Sequence, residues 1–565
     1  MKKVLSILAL MVISAVMLFA RGKKELVNAG SWVYDAMAAI SNECGIVDFS
    51  DRAPLSIEEL EFYMEKYDYD SLSPAGKKLY DKLTDYFGQE PFAFGREDGL
   101  SLSAEPQINA EAYFKSNDDI DWVFDRYEKG DFVFIPVRIQ GADWFTMCFD
   151  AKLALNKGTK VDDDNYASIP LSPDDIDINF PDTAYFSTGY MFTPKFGMNF
   201  QLGMGARDFG RTLTGSVVQS EYFTGASYSS LDFFSRHFRY GMSVTEANVD
   251  KYIYSHEISV GLFDRLSLTA REAMLVYAPM ELRFLNPWTI FHGMSPWRDY
   301  DRTDVGEESH TCAYLGLKVS YAPVRRLRLY GQFAMTQFQT SYERNNYPND
   351  TTPNGLAFQA GAESFIPYEE GYFHSWIEGV YTQPYIYIKE SPNWSMVRTY
   401  SENMGPMKND PFYEWIGTPF GPDVIGGKIS VGYEVPSRWS VNLSYLLKVC
   451  GEYSGIKVFT PELGWGAEDT TVGDGLVSTD EDMKKWCYPE DQANAKEMQG
   501  YSTPHGETEY INTVSLRGSY CLNDNVTFVL QPSVSVYVNH RVDPYTKGTY
   551  TGWEVAFSTN VKFIK

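Results

Sequence analysis

Two periodicities divide the chain. Between residue 21 and about residue 90, apolar positions recur at helical spacing: Trp32, Val33, Tyr34 and Met37, then Leu60, Phe62 and Tyr63, then Leu79, Leu83 and Phe87. Ser56-Ile57-Glu58-Glu59 carries the capping-box pattern, and Ser73-Pro74 sets a cap and a first-turn proline before the third group. This predicts a bundle of about three helices within residues 21–98. So small a unit is near the lower limit for independent folding and is expected to dock onto the rest of the chain. Ahead of it, Lys2-Lys3 and the apolar run Val4 to Phe19 read as a secretory signal over 1–20, cleaved after Ala20, with an uncleaved anchor as the alternative.

From about residue 100 the period becomes two. Trp439, Val441, Leu443, Tyr445 and Leu447 alternate with Ser440, Asn442, Ser444 and Lys448. Met198, Phe200 and Leu202 oppose Asn199, Gln201 and Gly203, and Val526, Phe528, Leu530 and Val534 oppose Thr527, Gln531, Ser533 and Ser535. Such segments are long for a β-sandwich but suit a tilted strand crossing a bilayer. Short connections (193–195, 263–265, 323–326, 434–438, 521–525) alternate with long ones (156–183, 206–227, 277–312, 339–355, 386–425, 451–508). That order predicts an all-β transmembrane fold over 99–565, an antiparallel outer-membrane barrel of about 18 strands with 16 as the fallback. The weakest strands are 131–140 and 240–246. Both barrel ends, the short turns and the helical bundle are assigned to the periplasm, and loops such as 386–425 and 451–508 to the outside.

Composition narrows the function. With 44% hydrophobic and 16% aromatic residues the chain is not disordered, and a formal charge of −26 argues against nucleic acid, whose phosphates need clustered Lys and Arg. The six cysteines are dispersed without metal-ligand spacing, so neither a zinc site nor any other metal or cofactor is expected. Cys450 and Cys487 are the candidate pair that could bridge, with free thiols as the alternative.

Several segments resemble the capsule-assembly Wzi family of outer-membrane proteins. They are DRAPLSIEELEFYM, ARDFGRTLTGSVVQSEYFTG, LRFLNPWTIFHG, RLYGQFAMTQFQ, EGVYTQPYIYI and EWIGTPFGPD, spread from about residue 50 to 430 in the family's order. The resemblance implies an 18-stranded barrel with a periplasmic bundle and a lectin-like role in holding capsular polysaccharide. The chain departs from the family at its end, Phe563-Ile564-Lys565, and at Asp208-Phe209-Gly210-Arg211.

Strand parity points Arg207 inward, with Asp208 and Arg211 in the following loop. Such a set can grip acidic or hydroxylated sugars through bidentate hydrogen bonds, or brace a wide barrel internally. Asn286, Trp288, His292 and Trp297 lie in loop 277–312. Their flat rings and polar tips suit pyranose faces and hydroxyls, though Trp and Tyr also form the interfacial girdles of membrane barrels. If Phe373, Ile377 and Tyr381 face lipid, Glu378 faces inward, as a glycan ligand or as a partner of Arg328 or Lys318. No His lies in a hydrolase motif, so no enzyme is expected. The turn Arg236-His237-Phe238-Arg239 suits lipid or peptidoglycan contacts. The expectation is a monomer in outer-membrane lipid that binds surface or capsular polysaccharide. The rival is a diffusion channel or transport porin, and an inward fold of the long loops would favour the anchor.

Overall fold

The computed structural model describes residues 21–88, 92–95, 99–120, 131–155, 165–170, 172, 176–179, 181–292, 311–346, 353–388, 395–403, 409–451, 501–541 and 547–563. The signal segment, Trp297 and Cys487 lie outside these residues.

A closed antiparallel barrel of eighteen strands forms the body. The first, β1, is broken at Glu105-Pro106 into Leu100–Ala104 and Gln107–Lys115. Next come β2 (Val133–Gly141), β3 (Phe145–Leu155), β4 (Ala184–Thr193), β5 (Phe196–Met204) and β6 (Ser227–Ser235). They are followed by β7 (Phe238–Asn248), β8 (Lys251–Leu262), β9 (Leu266–Tyr277), β10 (Thr311–Val324), β11 (Leu327–Gln337) and β12 (Gly355–Tyr368). The last are β13 (Gly371–Thr382), β14 (Val424–Val435), β15 (Trp439–Cys450), β16 (Glu509–Asn523), β17 (Val526–Arg541) and β18 (Lys547–Lys562). β18 pairs with β1 over Glu554↔Lys115 to Lys562↔Gln107 and closes the ring. The two weakest expected strands are β2 and β7, and both pair along their length, so the count of 16 is not needed.

The alternation that predicts the strands also sorts their faces. Leu268, Val319, Leu329, Phe358, Ile377, Leu443, Leu516 and Leu530 are exposed on the outer wall, where a bilayer covers them. Asn199, Gln201, Lys318, Glu363, Glu378, Ser515 and Ser533 are buried on the inner face. No described helix is long and apolar enough to cross a membrane; the barrel crosses with its strands and is an outer-membrane barrel.

Three helices, α1 (Trp32–Cys44), α2 (Ile57–Met64) and α3 (Pro74–Gly88), sit at the short-turn end. Ser56 caps α2 by accepting the Glu59 N–H, and the Ser73 hydroxyl accepts the Gly76 N–H at the start of α3. Val33, Met37, Leu60, Tyr63 and Leu83 share one core with Phe234, Phe365 and Tyr372 of the barrel, so the bundle completes its core by docking. It also bonds the short turns directly: the Val47 N–H donates to Asp264 O at 2.8 Å and the Lys66 ammonium to Arg236 O at 2.8 Å.

Candidate functional site

The connection between β5 and β6 runs into the barrel rather than over its rim. Asp208 pairs its backbone with Ala53 of the bundle region, and the Arg211 N–H bonds Asp51 O at 2.6 Å. The chain then climbs back through Val217 and Val218, both fully buried. Local sequence permits this path. A Cβ at Gly210 would lie 2.8 Å from Lys318 Cδ, and Gly215 has φ +82° against Pro419 and Ser220.

Polar wall residues hold this plug at both levels. Toward the loop end, the Tyr314 hydroxyl donates to the Val217 and Val218 carbonyls at 2.9 and 2.7 Å, and Tyr387 donates to Val217 O at 2.6 Å. The Ser216 hydroxyl donates to Gln332 at 2.6 Å. Above them the connection between β13 and β14 closes over the plug. Tyr385, Ile386, Tyr387, Met396, Trp415 and Ile416 share one buried cluster with Phe209, Val217 and Val218.

Toward the short-turn end the contacts are ionic. Asp51 bonds Lys318 at 2.8 Å and Arg328 at 3.1 Å. Glu363, fully buried, accepts from Arg211, from Arg328 at 3.3 Å and from His374 at 3.0 Å. Arg52 pairs with Glu257, and Arg239 with Glu59 and Asp232. Bundle, plug and wall thus alternate in sign. Each of these charges leaves water against a partner of opposite sign, which offsets its desolvation penalty.

Burial and the nearby Glu221 carboxylate push the Asp208 carboxyl well above its ordinary value; burial and Asp35 raise Glu221. Burial also pushes Asp51 up, but Lys318 and Arg328 together hold it below the usual range.

The expected site residues separate into two groups. Arg207, Asp208, Arg211 and Glu378 lie inside the barrel. Arg211 pairs with Asp35 at 2.8 Å and with Glu363, and its guanidinium lies 4.3 Å over the Trp376 ring. Arg207 lies 4.8 Å over Tyr228, with one guanidinium nitrogen free of hydrogen-bond partners among the described residues. Glu378 faces inward as expected, but its partners differ from the expected ones. It accepts from the Leu213 N–H at 2.9 Å and from the Thr214 and Tyr330 hydroxyls, while Arg328 and Lys318 serve Asp51. The plug loop brings its own donors to Glu378, so no cation is needed there.

Asn286, Trp288 and His292 form the second group and are exposed in the connection after β9. Asn286 accepts the Trp288 N–H at 3.1 Å, and the His292 N–H donates to Glu272 at 3.0 Å. They do not meet the first group. In the turn after β6, Arg239 points inward to Glu59, and Arg236 pairs with Glu65 of the bundle at 2.6 Å. Both basic side chains of that turn therefore face the protein's own carboxylates. Cys44, Cys148 and Cys521 carry free thiols.

Sequence reasoning missed Asp51, Glu363 and Tyr330. A charged residue at an inward position of a period-two strand, as at Glu363, is a usable signal; Asp51, in an irregular segment, had none.

No family model and no curated relative matches the chain. Among solved structures, it is similar to Wzi of Escherichia coli, described as an outer-membrane protein involved in group 1 capsule assembly and a carbohydrate-binding β-barrel. The two share 10% identity over 94% of this chain and 98% of that one, with a TM-score of 0.53. OprD of Pseudomonas aeruginosa aligns at 9% identity over 82% of this chain and 96% of its own, with a TM-score of 0.35. The outer-membrane channel DcaP of Acinetobacter baumannii aligns at 7% over 83% and 99%, with a TM-score of 0.34. At these identities the likeness is one of fold.

Proposed function

We propose that this outer-membrane barrel retains surface or capsule-like polysaccharide at its loop end, as a Wzi-like anchor, and performs neither chemistry nor general solute passage. The observation that carries this reading is the plug. Loop 205–226 occupies the lumen beside β8–β13, bonded to the bundle below and closed over by the β13–β14 connection above. A diffusion channel needs continuous water along that path, whereas an anchor needs a rigid body with an adhesive outer end. The likeness to a carbohydrate-binding barrel supports the same reading.

The contacts then belong on the loop-end surface rather than in the lumen, where Arg211 and Glu378 already have partners within the chain. That surface offers Phe338, exposed just after β11, and Tyr342, exposed in the short helix Ser341–Asn346 that follows, whereas Asn286 and His292 lie on the outer wall beside Tyr240 and Glu272. Flat rings of this kind stack on sugars and a phenol bonds their hydroxyls, weakly at any one point, so retention comes from several contacts along one polymer.

Immobilised full-length protein should capture polysaccharide from an extract of its own cell envelope. Tyr342→Ala combined with Phe338→Ala should reduce capture several-fold while the barrel stays folded. A wild-type protein that captures no polysaccharide would overturn the reading.

A further inference from the structure

The connection after β9 leaves the barrel on its outer side. On β8 the odd positions point inward, Ser255 bonding Arg271 and Ser259 bonding Arg52, so Tyr254, His256, Ile258 and Val260 point outward. On β9, Arg271 points inward, which leaves Leu268, Glu272, Met274 and Val276 outward. Outward residues of a membrane barrel are ordinarily exposed, as Ile258, Val260 and Leu268 are. Yet Tyr254 and Met274 are each 1% exposed and Val276 is fully buried. Residues 278–292 cover them.

Phe284 stacks on Tyr254 with ring centres 5.0 Å apart, and Phe284 and Phe291 share a buried cluster with Met274 and Val276. The flap is also bonded in place. The Tyr254 hydroxyl accepts the Glu281 N–H at 2.9 Å, and Tyr240, outward on β7, donates to Pro287 O at 3.0 Å. Beneath it Glu272, at the middle of β9, bonds His256 at 2.8 Å and accepts the His292 N–H. An outward carboxylate halfway up a membrane wall is costly against hydrocarbon. Here the flap and a histidine enclose it.

The flap's other face carries large apolar side chains, with Arg283 exposed among them and paired to Glu281 at 3.1 Å. Trp288 is 91% exposed, Leu282 77% and Ile290 69%, and Met280 is exposed beside them. We infer that residues 278–292 seat between the wall and the surrounding lipid, with Trp288, Leu282 and Ile290 turned toward its acyl chains. The occupant follows from place: the flap seats on the same outward rows whose next residues, Ile258 and Leu268, belong to the lipid-facing band. Polysaccharide offers nothing that would bury Leu282 and Ile290. The inference rests on the barrel alone and not on the glycan reading.

The test uses full-length wild-type protein and the Trp288→Phe variant, which keeps an aromatic ring, in phosphatidylcholine vesicles with plain or brominated acyl chains. The emission that Trp288 contributes, obtained as the difference between the two proteins, should fall at least two-fold in brominated vesicles and resist aqueous iodide. Quenching by iodide and not by bromine would place Trp288 in water and overturn the inference. Protection from both quenchers, together with a dimer in sedimentation, would assign the flap to a second copy and overturn it equally.

Discussion

Between β8 and β13 the inward row of the wall carries Glu257, Arg271, Lys318, Arg328, Glu363 and Glu378, and these reach across to the plug or the bundle. Between β14 and β17 the same row carries a Glu509–His540 pair and Lys448 over the Phe420 ring, but its Ser430, Asn442, Ser440, Ser519, Ser515 and Ser533 bond one another across adjacent strands. Ser440 meets Ser519 at 2.7 Å, Ser533 meets Ser515 at 2.9 Å, and Asn442 donates to Ser430 at 2.8 Å. A hydroxyl both donates and accepts, so neighbouring serines satisfy each other within the sheet. A guanidinium only donates and a carboxylate only accepts, so each must find its opposite, and in this barrel the opposite often comes from a different segment of the chain. The charged rows of β8–β13 therefore fix the interior, while the serine pairs of β14–β17 satisfy themselves within the sheet.

That contrast can be broken most sharply at Glu363. Glu363→Gln leaves Arg211 and Arg328 buried without their shared carboxylate, and breaking such a pair costs about 3–5 kcal/mol. Unfolding of the purified barrel in detergent, followed by its change in gel mobility on heating, should shift accordingly. A loss under about 1 kcal/mol would mean that the network is decorative.

A smaller effect, with a sign set by pH, is expected at the junction of plug and bundle. Asp208 is raised in the folded state, so its contribution is fully favourable below the ordinary carboxyl pKa of about 4 and is lost as pH rises through the folded value. Asp51 is depressed and behaves oppositely: its contribution is present above the ordinary value and is lost as pH falls through the folded one. Asp208→Asn should therefore raise the melting temperature over wild type at pH 8 and leave it nearly unchanged at pH 4. A gain confined to pH 4 would contradict the assignment.

The smallest effect belongs to the serine pairs. Ser515→Ala with Ser533→Ala removes both members of a pair, so neither partner is stranded, and the cost should stay within about 1 kcal/mol in the same unfolding assay. A loss as large as that at Glu363 would erase the distinction between the two walls.

The barrel was legible in the sequence because its physics is local. One wall in lipid and one in a polar lumen force period two on each strand, as 439–450 and 526–541 show, and the alternation of short and long connections orders them. The direction of a long connection is not local. Nothing in Ala206 to Ala226 marks whether that segment rises from the rim or descends to Asp51, because the deciding partners, Lys318, Gln332 and Glu378, lie about a hundred or more residues away. The same limit applied to Trp288. Its exposure was readable from its type and context, but the side of the wall it occupies depends on Tyr240, Tyr254 and Glu272 receiving the flap. At Glu378 the inward direction followed from parity, and the partner did not.

The central claim, that the charged rows of β8–β13 hold a filled interior, is tested most directly by the conductance of the refolded full-length protein in a planar bilayer. A wild-type barrel that inserts without steady open-state steps is the predicted result. Persistent ohmic conductance from the wild-type protein would contradict the account and put a channel in place of the anchor.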